Sequence, residues 1–316
     1  MKVRPALVAH ADWGKDPKKR WVASARWSGD RYEALSVKPV AHAGRLVRSL
    51  LREARGGPVL LGFDFPIGLP VTYAKAAGIR SFRHFLGQVG RGRWAEFGSV
   101  ARERHEISRY RPFYPYAPGG KRKAHLLEAL KIESVELLHR HCERATASRA
   151  AASALFWTLG AKQAGRAAIA GWLEVLRPAI RDLGSELALW PFDGPLDELL
   201  LNRKIVICET YPANAYSTIG LPSAGRGWSK RNPEHRRRYA PTIREWAREQ
   251  HITVRADLAR YIREGFGASS DGEDPFDATI GLFGMIELIQ SNREAAPKLS
   301  KRILDVEGWM LGFESR

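Results

Sequence analysis

The sequence predicts an α/β protein: five strands flanked by helices, with a largely helical insertion between the fourth and fifth strands. Three observations lead there. The first 70 residues read strand, strand, strand, helix, strand; strand composition returns only at 203–212; and three of the apolar runs end in a carboxylate, at Asp12, Asp64 and Glu209. Open α/β sheets carry their sites at strand C-terminal ends, so the third observation bears on function as well as fold.

PALVAHA (5–11) is a short apolar run ending at Asp12-Trp13-Gly14, and WVASARW (21–27) and RYEALSV (31–37) follow it, joined by the hairpin signal Ser28-Gly29-Asp30. AHAGRLVRSLLREAR (41–55) spaces Leu46, Val47, Leu50 and Leu51 at helical intervals and is stopped by Gly56-Gly57. PVLLGFDFPIGLP (58–70) is a buried strand that ends near Pro66. From 71 to 200 the pattern turns helical and irregular, with helices expected in 133–145 and 153–184 and a break at WPFDGP (190–195). RKIVICETYP (203–212) is the last strand, followed by helices in 242–251 and 254–266 and one starting near Asp274. The expected organisation is a core of 1–70 and 201–316, with 71–200 as an insertion or cap that is basic in its first half.

A net charge of +17 over 316 residues attracts polyanions, and nucleic acid is the expected partner. The charge is clustered. Between Lys75 and Lys123, Arg91, Arg93, Arg109, Arg111, Lys121, Arg122 and Lys123 belong to a basic surplus opposed by only Glu96, Glu103 and Glu106. Arg226, Lys230, Arg231, Arg236, Arg237 and Arg238 surround Trp228 and Tyr239, a mixture suited to gripping phosphate and stacking on bases, although a solvated loop has the same composition. Cys142 and Cys208 lie too far apart for a ligand motif or disulfide framework, the N-terminal run is a poor signal peptide, and no apolar stretch reaches membrane-spanning length. A cytoplasmic protein with no membrane partner is expected.

The acids carry the chemistry. In GEDPFDATIGLFGMIELIQ (272–290), Asp274 precedes Pro275 as an N-cap precedes an N1 proline, and Asp277 follows one turn later, so both carboxylates can face one way. Asp12, Asp64, Glu209 and Asp277, with Asp274 as auxiliary, are oxygen donors suited to Mg2+ or Mn2+. Two such ions about 4 Å apart can hydrolyse a phosphodiester. Asp12 would bridge them, Asp64 and Glu209 complete one, and Asp277 the other. His10 shares a strand face with Asp12 but reads more readily as a core residue; Lys15 reads as a solvated loop lysine. Lys162 and Gln163 would line the cleft only if the insertion folds over it. His139, His141 and Cys142 are set aside as ligands because the two histidines would point to different faces of a helix.

Asp12 on the first strand, GFDFPIGLP around Asp64, ETYPA around Glu209, DPFDA around Asp277 and EGWMLG (307–312) together resemble the DUF429 family of ribonuclease H-like proteins predicted to be nucleases. The resemblance implies a ribonuclease H-like core, a mixed five-stranded sheet flanked by helices similar to that of the Holliday-junction resolvase RuvC, and a carboxylate-held metal site at the same four positions. Between 75 and 200 only FWTLGAKQAG and the LWPF segment look similar, and the basic stretch 75–125 has no match. The expected activity is therefore a metal-dependent nuclease. Two alternatives come from other classes: a nucleic-acid-binding protein of the same fold without catalysis, and an ATP or sugar-phosphate enzyme of the wider superfamily. Asp12-Trp13-Gly14-Lys15 has one glycine and no P-loop occurs, which disfavours the last.

Overall fold

One mixed sheet organises the chain, as seen in a computed structural model that describes residues 3–146, 150–160, 163–222, 227–291 and 293–314. Its strands are β1 (Leu7–Asp12), β2 (Trp21–Trp27), β3 (Tyr32–Pro39), β4 (Val59–Phe63), β5 (Leu187–Leu189), β6 (Ile205–Glu209) and β7 (Thr253–Val254), in the order β5-β6-β4-β1-β2-β3-β7. β1, β2 and β3 pair antiparallel, whereas β4 and β6 run parallel to β1 and β4 respectively. β1, β4 and β6 are buried along their whole length, which is why each reads as an unbroken apolar run instead of an alternating one.

The sheet has seven strands where five were expected. The two additions are short edge strands. β5 pairs parallel with β6, and β7 pairs parallel with β3 over Glu33 and Ala34. Runs of three and two residues carry too little periodicity to register in sequence, and short edges limit unwanted pairing with other chains.

The helices are α1 (Ala43–Glu53), α2 (Val71–Ala76), α3 (Phe82–Gln88), α4 (Lys123–Leu130), α5 (Ala164–Gly171), α6 (Arg177–Leu183), α7 (Leu196–Asn202), α8 (Tyr216–Ile219), α9 (Pro233–Arg238), α10 (Ala240–Glu249), α11 (Ala256–Arg263) and α12 (Glu273–Gln290). Two expected helices differ. Segment 133–145 forms two short 3-10 turns, and 153–184 begins as irregular chain before α5, a π-helical turn (Trp172–Leu176) and α6. Backbone pairing explains the second difference: Tyr114 and Thr158 exchange hydrogen bonds with residues of the facing segment, Tyr114 N to Phe156 O and Thr158 N to Tyr114 O, and this holds 156–158 extended.

Two apolar layers cover the sheet. On one face, Ala9, Ala11, Leu61, Phe63 and Ile207 pack with α1 and with an aromatic cluster from the 71–183 segment, in which Phe82, Phe97 and Phe113 surround Trp172. On the other, Val8, Leu60, Val206 and Cys208 meet α12. α12 is buried around most of its circumference, as a helix apolar on all sides must be. It lies close to the sheet because a glycine stands on each side of the contact: a Cβ at Gly281 of α12 would fall 2.3 Å from the His10 ring, and one at Gly62 of β4 would fall 2.6 Å from Met285 Sδ. Asp274 is not the N-cap: the helix begins one residue earlier, at Glu273, which leaves Asp274 and Pro275 inside the first turn.

A methyl group at Gly281 must push α12 off the sheet or displace a fully buried ring. Gly281→Ala is expected to destabilise the fold by about 1–3 kcal/mol, measured by urea unfolding; an unchanged midpoint would contradict the close approach.

Candidate functional site

Register decides which acids meet. Along the parallel strands Ala11, Phe63 and Glu209 are aligned, so Asp12 and Asp64 each lie one residue beyond that row. Successive residues of a strand point to opposite faces, and a one-residue offset reverses the side chain. Asp12 thus shares the α12 face with His10 and Val8, while Glu209 belongs to the face of Ala11 and Phe63.

On the α12 face, Asp12, Asp64 and Asp277 act on one another electrostatically, with Asp274 beside them. Asp12 is buried and held well above the usual carboxylate range, first by burial and then by the charges of Asp64, Asp277 and Asp274. Burial pushes Asp64 up to about 7, against a hydrogen bond from the Trp13 amide to its Oδ1 at 2.8 Å and another shared with Asp12. Asp274 is raised to about 6, again mainly by burial. Asp277 is engaged twice: Tyr216 donates to its Oδ1 at 3.2 Å and the Lys230 ammonium donates to its Oδ2. Burial works against the charged form of Lys230, yet the carboxylates of Asp277, Asp12 and Glu273 hold it protonated above its ordinary range.

The turn after Asp12 is locked by buried Arg20. Its guanidinium donates to the carbonyls of Gly14 and Lys15, pairs with Glu174 at 2.5 Å and lies 4.4 Å over the Trp13 ring. Trp13 is thereby fixed, and its amide holds Asp64 in place.

Glu209 does not join the cluster. Buried Arg140 grips it with two charge-assisted bonds, Nη1 to Oε2 at 2.7 Å and Nη2 to Oε1 at 2.6 Å, and the Ile67 amide donates to Oε2 at 2.6 Å. Arg140 also pairs with Glu143 and donates to the carbonyls of Ile67 and Glu307. Among the described residues, no group of three or more His, Cys, Asp or Glu is set as it stands to hold a metal ion.

His10 is fully buried, packs on Gly281 and is kept neutral by burial, its pKa lowered to about 3. Lys15 is exposed; Gln163 is exposed at the start of α5, and Lys162 lies outside the described residues. His139 Nδ1 and Nε2 lie 3.0 and 2.9 Å from the Val135 and Ala152 carbonyls, His141 pairs with Glu307, and Cys142 is buried.

The basic residues divide. Arg91, Arg93, Arg109, Arg122, Lys123 and Arg238 are exposed. Arg111, Lys121 and Arg237 are tied to Glu106, Glu103 and Glu234. Arg236, expected to face nucleic acid, is completely buried, and its guanidinium caps the carbonyls of Lys230, Gly265, Gly267 and Ser269. Trp228 is likewise buried, packed against Tyr216, Tyr239 and Phe276, so it is unavailable to stack on a base; Arg226 lies outside the described residues. Sequence reasoning gave no individual role to Lys230, Tyr216, Arg140 or Arg20; a lone cation or tyrosine among many carries no signal of which acid it will meet.

No family model, curated protein or solved structure matches the chain. Among the described residues, no helix is long and apolar enough to cross a membrane.

Because the Asp64 pKa is raised in the folded state, its ionisation opposes folding: the stability it confers is complete below about pH 3.8 and is lost as pH rises through about 7. Asp64→Asn keeps the acceptor for Trp13 and removes the charge. In EDTA at pH 8 its Tm should exceed wild type by roughly 1–2 °C, about 1 kcal/mol for a chain of this size, and the gap should close near pH 4. A pH-independent difference would contradict the raised pKa.

Proposed function

We propose that the protein is a metal-dependent nuclease of ribonuclease H-like fold, hydrolysing phosphodiester bonds of nucleic acid with Mg2+ or Mn2+ held by Asp12, Asp64 and Asp277, with Asp274 beside them. The observation that carries the reading is the convergence of these carboxylates from β1, the end of β4 and α12 into one buried cluster whose charge is under-compensated. The donor set fits the ion: all are hard oxygens, and a divalent cation removes the repulsion that otherwise forces protons onto them. The five inner strands, in the order β3-β2-β1-β4-β6 with an antiparallel meander followed by parallel strands, support the ribonuclease H-like reading.

When bound, the metal supplies charge stabilisation and an activated water for phosphodiester attack. The chain's own residues position and neutralise. Trp13 holds Asp64 through its amide, and Tyr216 orients Asp277. Arg91, Arg93, Arg109, Arg122, Lys123 and Arg238 are exposed and supply the cationic surface for backbone phosphates. Glu209 anchors Arg140 behind the cluster and is not a ligand in this reading. A cytoplasmic setting goes with it, since Cys142 and Cys208 are both free. A second reading, a nucleic-acid-binding protein of this fold without catalysis, draws on one observation: the acids do not form a complete cage as they stand.

The test is incubation of wild type, Asp12→Asn, Asp64→Asn and Glu209→Gln with labelled single-stranded, duplex and branched DNA and RNA, in Mg2+, Mn2+ or EDTA. Cleavage by wild type is expected to vanish in EDTA and to fall by at least roughly 100-fold in either aspartate variant, while Glu209→Gln lowers Tm but still cleaves. Salt-sensitive binding with no cleavage anywhere in the panel would favour the second reading.

A further inference from the structure

Lys230 is the one sequence-distant cation whose side chain bonds directly to the acid cluster among the described residues, and the fold invests heavily in putting it there. Its turn is seated from both sides. Two residues before it, Trp228 is buried between Tyr216 and Phe276, with its indole nitrogen donating to the Pro222 carbonyl at 2.7 Å. Six residues after it, buried Arg236 donates to the Lys230 carbonyl and ties it to the carbonyls of Gly265, Gly267 and Ser269, just ahead of α12. The backbone of Lys230 is therefore pinned to the same helix start that carries Asp274 and Asp277. Only the flexible four-carbon stem is left free to move its ammonium, and that ammonium donates to Asp277 Oδ2 while facing Asp12 and Glu273.

A solvated lysine has no need of such seating. The ammonium lies against a cluster that collects at least three buried or half-buried aspartates, and a cation of this size bonded to one of their oxygens occupies a coordination position. While Lys230 holds Oδ2 of Asp277, that oxygen is not open to a metal ion.

We propose that Lys230 is an internal counter-cation of the acid cluster, occupying the coordination position on Asp277 when metal is absent and leaving it when a divalent cation binds. This inference rests on the metal-binding reading above and adds a competition to it. The exchange breaks the Lys230–Asp277 hydrogen bond in favour of metal coordination, with no covalent bond made or broken. Once displaced, the ammonium is next in the chain to exposed Arg231, which pairs with Glu273 at 3.7 Å, and a substrate phosphate is an alternative anion for it. By linkage, a ligand that holds Lys230 away from Asp277 tightens metal binding, and metal tightens that ligand to the same degree.

Two measurements test the proposal without relying on activity. The first is titration of wild type and Lys230→Gln with Mn2+ alone by calorimetry. Removing the competitor should tighten Mn2+ binding roughly tenfold, and Lys230→Gln should melt below wild type in EDTA but not in saturating Mn2+. The second uses wild type only: an amine-reactive reagent with mass spectrometry should find Lys230 protected in EDTA and labelled in Mn2+. Mn2+ binding that is equal or weaker in Lys230→Gln, or Lys230 labelling unchanged by bound Mn2+, would overturn the competition and leave the metal site standing. Absence of Mn2+ binding in both proteins would overturn the competition and the metal reading together, a result distinguishable from the first because wild type itself fails. Binding by Lys230→Gln alone would overturn the exchange, because the lysine would then exclude the metal instead of yielding to it.

Discussion

Carboxylates buried side by side must acquire protons or cations, because desolvation penalises each charge and every neighbour adds to the cost. Much of this protein can be understood as the handling of that constraint. The acids near the C-terminal ends of the central strands separate into two groups, and each group is given a different partner. Glu209 receives Arg140, fixed in a network with Glu143 and the carbonyls of Ile67 and Glu307. Among the described residues, Asp12, Asp64, Asp274 and Asp277 receive only one cation, Lys230, in direct side-chain contact, and the raised affinity of Asp12, Asp64 and Asp274 for protons records the deficit.

The two solutions differ in permanence. Arg140 is wholly buried and donates to both oxygens of Glu209 in a planar bidentate pair, a geometry that makes a guanidinium costly to remove. Lys230 is half-exposed and meets Asp277 through a single point charge on a rotatable stem. The first arrangement is architecture, joining the 71–200 segment to the sheet and the C-terminal EGWMLG stretch. The second is a single ion pair on a rotatable side chain, the arrangement that the proposed exchange with a hard cation requires.

Seating of the site is mostly indirect. Arg20 holds the turn after β1, so that Trp13 presents its amide to Asp64; Trp228 and Arg236 hold the turn that delivers Lys230; and Gly62 and Gly281 let α12 approach closely enough for Asp277 to reach the end of β1. Several residues that seemed from composition to face a nucleic acid serve this scaffolding, Arg236 and Trp228 foremost. The exposed remainder of the basic surplus, such as Arg122 and Lys123, faces solvent.

The sequence by itself determined the order of the main elements and the identity of the acids. Unbroken apolar runs revealed β1, β4 and β6, the Ser28-Gly29-Asp30 link revealed the β2–β3 hairpin, and the three-residue spacing of Asp274 and Asp277 placed both on one side of α12. Strand-end position alone could not distinguish Glu209 from Asp12 and Asp64, because the distinction is a one-residue offset between strands far apart in the chain, and pairing register is a property of the assembled sheet. Edge strands β5 and β7 were similarly hidden, being too short to show a period before a neighbour pairs with them. Cations were the least legible of all: Arg140, Arg236 and Lys230 are chemically ordinary members of a basic sequence, and only tertiary packing determined which would be buried, which carboxylate each would meet, and which would stay free.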